Sequence, residues 1–357
     1  MIKSALLVCF CFFSSYVFAQ KLKIEFDYSN AYKTIELFKK ENADPKLIAE
    51  IVNLNSTGGL IKKIKSDSLQ AVGALSSVFS DGSNYSNYQY RFVKKNIDSL
   101  AVFVNLLRQN EEFIRLSILD SLIRFVPEKA DMKVTVRYIL GGYSSGFTFG
   151  DNEFFYIGLH QYKNDFYGVM NTCKHEIFHL IQNARFDPVP ISDKLEKSDE
   201  GLLYVHEIYR NIFVEGSASF IADMRKEKNT GSYLDMLIEH DIINDYRSGN
   251  VFYLIDLIVK DARKNPKQVS WGNTYSIIFD WNWNNPGYYA GYVMCKALTD
   301  EFGISILNKY MDKSPIYFVN DYVNLVKKKN PGSELNFSDE TEKINQELLQ
   351  FVGQNSN

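Results

Sequence analysis

From Asp27 to about Val126, apolar residues recur at three- and four-residue intervals, the period of a helix with one buried face. Ser29 or Asn30 is placed to cap a helix running through Lys40, and Asp44-Pro45 combines a capping carboxylate with a proline in the first turn. The run Ile97, Leu100, Val102, Val104, Leu106 and Leu107 breaks near Asn110 and resumes at Phe113, Leu116, Ile118, Leu119 and Leu122. These features predict a helical N-terminal subdomain over residues 20–129, without recognisable chemistry. Beyond it the texture changes. Lys133 to Leu140 alternates like a strand, Gly141-Gly142 and Ser144-Ser145-Gly146 mark turns, and Glu153 to His160 reads as a second, edge strand. A helix over Met170–Ile181 follows, free of Gly and Pro, and then mainly helical stretches at 201–224, 233–247, 251–263, 287–302 and 304–311. Residues 331–357 form a polar tail with one short amphipathic helix around Leu348 to Val352. The expected fold is α+β and mostly helical, with a small sheet beside the Met170–Ile181 helix in a domain spanning residues 130–330.

The N-terminus stands apart from this pattern. Met1-Ile2-Lys3, an apolar run from Ala5 to Val17, and Val17-Phe18-Ala19 before Gln20 have the order of a secretory signal peptide, residues 1–19. The run is too short to span a bilayer, and no later stretch is long and apolar enough to do so. Val8 and Phe10 stand where lipid attachment at Cys9 or Cys11 would need a small residue, which disfavours an anchor. The expectation is an exported protein, periplasmic or extracellular, with no transmembrane segment in the mature chain. Beyond the leader only Cys173 and Cys295 remain, and either one disulfide or two buried thiols fits. A formal charge of -3 with interspersed acids and bases argues against a nucleic-acid or polybasic membrane surface.

The chemistry concentrates in His175-Glu176-Ile177-Phe178-His179. Residues at i and i+4 on a helix lie about 6 Å apart on one face, so both imidazoles can reach one zinc ion. Glu176 directly follows the first histidine, where its carboxylate can act as general base on an attacking water without being a ligand. A catalytic zinc site takes three protein ligands and leaves one position open. Glu215, in Phe213-Val214-Glu215-Gly216-Ser217-Ala218, is the preferred third ligand, because a carboxylate in that apolar helical context needs a partner. Gly216 and Ala218 are small enough to let its helix approach the metal helix closely. Glu207, two turns earlier on the same helix, competes with it. His206 reads as solvent-facing or substrate-side, and His160 and His240 as structural. Asp223 and Ser219 are candidate partners for the second N–H of the ligand histidines.

His175-Glu176-x-x-His179 followed by a Glu-Gly-x-Ala helix resembles the gluzincin class of zinc metallopeptidases, and within it uncharacterised secreted bacterial zinc-dependent peptidases. The resemblance covers roughly residues 130 to 300. It implies one zinc per chain bound by His175, His179 and Glu215, Glu176 as catalytic base, and a substrate lying along the strand Phe154 to His160. Aminopeptidase-like members carry a Tyr-x-x-Gly helix start whose hydroxyl stabilises the oxyanion. Tyr288-Tyr289-Ala290-Gly291 is similar to it, which puts Tyr288 forward with Tyr289 in reserve. The Gly-x-Met-x-Asn sequence that holds a substrate N-terminus in those enzymes is absent, so aminopeptidase specificity is not implied. The expected activity is peptide-bond hydrolysis on a peptide or protein substrate. Two alternatives stay open: an exported, glycan-binding protein using the aromatic cluster from Trp281 to Tyr292, and a zinc protein without catalysis.

Overall fold

The computed structural model describes residues 21–80, 85–149, 153–185, 191–227 and 229–355, so the leader read at 1–19, with Cys9 and Cys11, lies outside the described residues. The chain divides into two compact units. One extends to Ile181 and takes in Glu227–Asp235; the other comprises Gln182–Lys226 and the chain from Met236 onward.

The first unit is built on a four-stranded mixed sheet in the order β1-β2-β4-β3, with β1 at Leu22–Asp27, β2 at Met132–Ile139, β3 at Gly146–Phe147 and β4 at Phe154–Gly158. β1 and β4 flank β2 in parallel, and β3 pairs antiparallel with β4 through Gly146↔Ile157 and Phe147↔Tyr156. A parallel pair needs a long crossover. Between β1 and β2 that crossover consists of α1 (Ser29–Phe38), α2 (Pro45–Val52), α3 (Asn55–Lys63), α4 (Ser68–Ser77), α5 (Tyr90–Lys95), α6 (Ile97–Gln109) and α7 (Glu111–Leu122). β1 lies in the stretch read as helical: only its first three positions alternate in burial, and its partner is distant in sequence. The second expected strand ends at Gly158, because Leu159–Tyr162 turns into a 3-10 helix. It is also interior to the sheet; β3 is the edge.

Asp44 caps α2 as read, accepting from the N–H groups of Lys46 and Leu47. The expected Ser29 or Asn30 cap on α1 is not formed. Ser29 N–H donates to Asp27, while buried Asn30 accepts the Leu140 N–H at 2.9 Å and donates to Thr57 Oγ1 at 2.9 Å. A buried amide is costly unless satisfied, so these bonds fix α1, α3 and the end of β2 together. Helix α8 (Phe166–Arg185), longer than expected at both ends, starts at Asp165, whose Oδ1 accepts the Gly168 N–H at 2.9 Å. The other oxygen of this buried carboxylate accepts from Gly231 and Leu234 at 3.2 and 2.9 Å, at the start of α11 (Ser232–Tyr246).

The second unit is helical: α9 (Ile191–Glu196), α10 (Glu200–Ile221), α12 (Ser248–Lys264), α13 (Trp271–Ile278), α14 (Pro286–Phe302), α15 (Ile306–Met311), α16 (Pro315–Lys329) and α17 (Asp339–Asn355), with the last residues of α8 and most of α11. Asp199 caps α10 through the Leu202 N–H. α10 crosses α14 at two glycines: a Cβ on Gly291 would fall 2.7 Å from the Gly216 Cα. Gly216 therefore serves this crossing. The turn read around Leu348 belongs to the seventeen-residue α17, which buries Thr341, Ile344, Asn345, Leu348 and Val352. Its polar buried positions hid the stripe; Asn345 is satisfied by the Tyr209 hydroxyl at 2.6 Å. Cys173 and Cys295 are buried free thiols, and burial pushes the Cys173 thiol up to about 12. Among the described residues no helix is long and apolar enough to cross a membrane.

Candidate metal centre

Helix α8 forms because Val169, Met170, Cys173, Ile177, Phe178, Leu180 and Ile181 supply a wide apolar surface, all of it buried. The Phe178 ring meets Phe125 edge-on at 5.2 Å. His175, Glu176 and His179 keep partial exposure. The two imidazoles stand at 88° with centroids 4.6 Å apart, and their Nε2 atoms lie 3.0 Å from each other. Two nitrogens on a tetrahedral zinc stand about 3.3 Å apart, given Zn–N bonds of about 2.05 Å. The pair is thus close to ligand geometry.

Among the described residues, His175, His179 and Glu215 form the one group of three or more potential ligands whose donor atoms all lie within 4.8 Å of one another. Glu207 is not in it. Its carboxylate faces Ser192 at 3.0 Å, His206 at 3.3 Å and Arg210 at 3.5 Å. Burial would raise its pKa, but the bonds to His206 and Ser192 and the Arg210 charge hold it below the ordinary carboxylate value. No local pattern pointed to Gln182, which is completely buried one turn after His179. Its amide donates to the Val214 carbonyl at 3.1 Å and to Ser217 Oγ at 2.8 Å, the residues bracketing Glu215.

Glu176 sits one turn beyond Thr172, and the edge strand passes close over both. A Cβ on Gly146 would lie 3.0 Å from Thr172 Cγ2 and 3.1 Å from Glu176 Oε1. The two tyrosines of α14 part company. Tyr289 is buried and donates to Asp245 at 2.9 Å, which in turn pairs with Arg225 at 3.1 Å. Tyr288 remains part-exposed, its ring 6.1 Å from Phe279, one turn before the Gly291 that packs on Gly216.

The remaining histidines have other roles. His160 is buried, with Nε2 2.9 Å from the Gly142 carbonyl and Nδ1 accepting the Gly141 N–H at 3.3 Å. His240 packs on Trp281 at 4.1 Å. His206, expected near solvent or substrate, is buried against Glu207. Asp223 accepts from the Tyr292 hydroxyl at 3.1 Å and the Arg225 N–H at 3.1 Å, and Ser219 lies part-exposed one turn after Glu215. Trp281 and Trp283 are 41% and 58% exposed.

Two imidazoles and one carboxylate, with a further carboxylate adjacent, are the donor set of a zinc site that keeps a position open, so the residues fit that metal. Compared with known protein families, the chain matches one family model, described as "Putative zinc dependent peptidase (DUF5700)", over residues 19–331. No curated protein and no solved structure matches it.

Proposed function

The chain belongs to the family described as "Putative zinc dependent peptidase", whose model it matches over residues 19–331, and from that premise we propose that it is a gluzincin-type zinc metallopeptidase acting on peptide or protein substrates. The observation that carries this reading is the convergence of His175, His179 and Glu215 donor atoms beside Glu176. Zinc held there would supply Lewis acidity toward the carbonyl and bring the pKa of a water toward about 7. Glu176 removes the proton from the attacking water and delivers it to the leaving amine. Tyr288 donates to the developing oxyanion, since Tyr289 is committed to Asp245. The backbone beside Glu176 is that of edge strand β3 at Gly146, which replaces Phe154 to His160 as the substrate-side strand. Residues 130–330 are the proposed catalytic domain, and the leader at 1–19 directs export to the periplasm or the exterior.

Elemental analysis of the purified mature chain tests the metal: about one zinc per chain, sharply reduced in His179→Ala and Glu215→Ala. Cleavage of fluorescein-labelled casein then tests the chemistry. Glu176→Gln should keep zinc and lose turnover by about 10²–10⁴-fold, the usual contribution of a general base. Wild type without zinc, even after reconstitution, ends the reading. Zinc with no hydrolysis in wild type favours the non-catalytic alternative, and full activity in Glu176→Gln removes the base assignment.

A further inference from the structure

Glu196, Glu200, Leu203, Tyr204, Glu207 and Trp271 line a cavity of about 420 Å³, within the size range of ligand sites. Glu196 ends α9, Trp271 opens α13, and the other four lie on α10. Among the described residues the lining holds three carboxylates and no basic side chain. Glu207 is occupied in part, by Ser192 at 3.0 Å, His206 at 3.3 Å and Arg210 at 3.5 Å, whereas Glu196 and Glu200 are exposed. Carboxylates alone would be an ordinary solvated face. Here they share a cavity with Leu203, Tyr204 and Trp271, which stay part-exposed. Such a lining complements a cation on an aliphatic stem, whose methylenes pack on the apolar wall while its head meets carboxylates and ring faces. A bare metal ion would leave that wall uncovered, and an apolar side chain would strip water from the carboxylates without replacing it.

Two lines lead from this cavity to the metal centre. Glu200, Tyr204, Glu207, Asn211 and Glu215 follow one another at intervals of four, three, four and four residues, and so share one face of α10. From Glu207 to Glu215 the helix rises about 12 Å. Rings make the second line. Trp271 lies 6.0 Å from Tyr275, Tyr275 5.1 Å from Phe279, and Phe279 6.1 Å from Tyr288, the proposed oxyanion donor. An extended peptide advances about 3.3 Å per residue, so the rise along α10 corresponds to about three to four residues.

We propose that this cavity is a specificity subsite for a lysine or arginine side chain of the peptide substrate, held about three to four residues from the scissile bond. Its placement relative to the cut rests on the peptidase reading above; its binding of a basic side chain does not.

The test measures binding to the zinc-loaded mature Glu176→Gln variant. The probes are two fluorescein-labelled Gly-Ser nonapeptides, one with a central lysine and one with norleucine, which keeps the stem and drops the charge. Fluorescence anisotropy at low salt should show the lysine peptide bound about 3–30-fold more tightly, the margin of an exposed ion pair joined to a cation–π contact. Molar salt should shrink it. Adding Glu196→Gln and Glu200→Gln together should remove the margin, and adding Trp271→Leu should reduce it. Both glutamates are exposed, so these changes should leave zinc content unaltered. In a casein digest by the otherwise wild-type chain, mass spectrometry should find lysine or arginine enriched at one position about three to four residues from the cut, and Glu196→Gln with Glu200→Gln should abolish the enrichment. Equal affinity for the two peptides, or a margin that survives the glutamine pair, would overturn the subsite. Preferential binding with no basic preference in the digest would overturn its place along the substrate. If the wild type binds no zinc or leaves casein uncut, the peptidase reading falls, and the peptide titrations still decide whether the cavity takes a basic side chain.

Discussion

Gly216→Ala sets two effects against each other at the residue after Glu215. Alanine is the better helix former by about 1 kcal/mol, so propensity alone makes this substitution in the interior of α10 stabilising. Packing opposes it. The added Cβ would sit 2.8 Å from the Tyr292 nitrogen and closer still to Cα and C of Gly291, all backbone atoms with no rotamer to escape into. Non-bonded heavy atoms rest at about 3.5–4.0 Å, so α10 and α14 must part by at least about 1 Å. Overpacking of this kind costs about 1–3 kcal/mol, and a backbone-on-backbone clash belongs at the upper end. The expected net is a loss of about 2 kcal/mol, packing minus propensity. Urea unfolding followed by circular dichroism measures it. Gly353→Ala at an exposed position of α17, where a Cβ meets nothing within 4 Å, is the control and should gain about 0.4–1 kcal/mol. Zinc content should fall in Gly216→Ala, since the displaced helix carries Glu215. A stability equal to or above wild type would refute the packing argument.

Burial depresses the His160 pKa from 6.5 to about 4, the Gly142 carbonyl opposing only in part. The folded state therefore binds this proton less well than the unfolded one: its stability is complete above about 6.5 and is lost as pH falls toward 4, worth about 3 kcal/mol in all. His160→Gln should flatten the urea midpoint between pH 7 and pH 4.5 relative to wild type; parallel curves would contradict this. Asp165→Asn retains one acceptor oxygen for the two helix starts that Asp165 serves, so it should cost about 1 kcal/mol and Asp165→Ala about twice that, read in the same unfolding assay. Gln182→Leu leaves the Ser217 hydroxyl and the Val214 carbonyl without the Gln182 amide and should cost about 1–3 kcal/mol. Native protein should leave both thiols unreacted with a disulfide reagent at pH 8, and urea should release two, because burial raises both thiol pKa values.

Periodicity made most helices legible, including the break at Asn110 and the Asp44 cap, because these depend on residues a few positions apart. The same locality explains the misses. β1 exists through a partner strand distant in sequence, and α17 buries an asparagine that Tyr209 satisfies and a threonine that donates to the Asp256 carbonyl. His206 looked like a surface residue, since nothing in its neighbours predicts burial against Glu207.

His-Glu-x-x-His determined the candidate chemistry by itself, since helical spacing alone places two imidazoles and a carboxylate on adjoining positions of one helix. The sequence preferred Glu215 to Glu207 by its Glu-Gly-x-Ala context, and the tertiary structure adds what no local pattern could: Glu207 faces His206, Ser192 and Arg210, while donor atoms of His175, His179 and Glu215 lie within 4.8 Å of one another. Likewise Tyr288 and Tyr289 are equivalent in sequence, and Asp245 on another helix separates them by accepting from Tyr289. The edge strand over Glu176 required tertiary structure outright: its close approach depends on a glycine whose neighbours are fixed by sheet order, not by the chain around it.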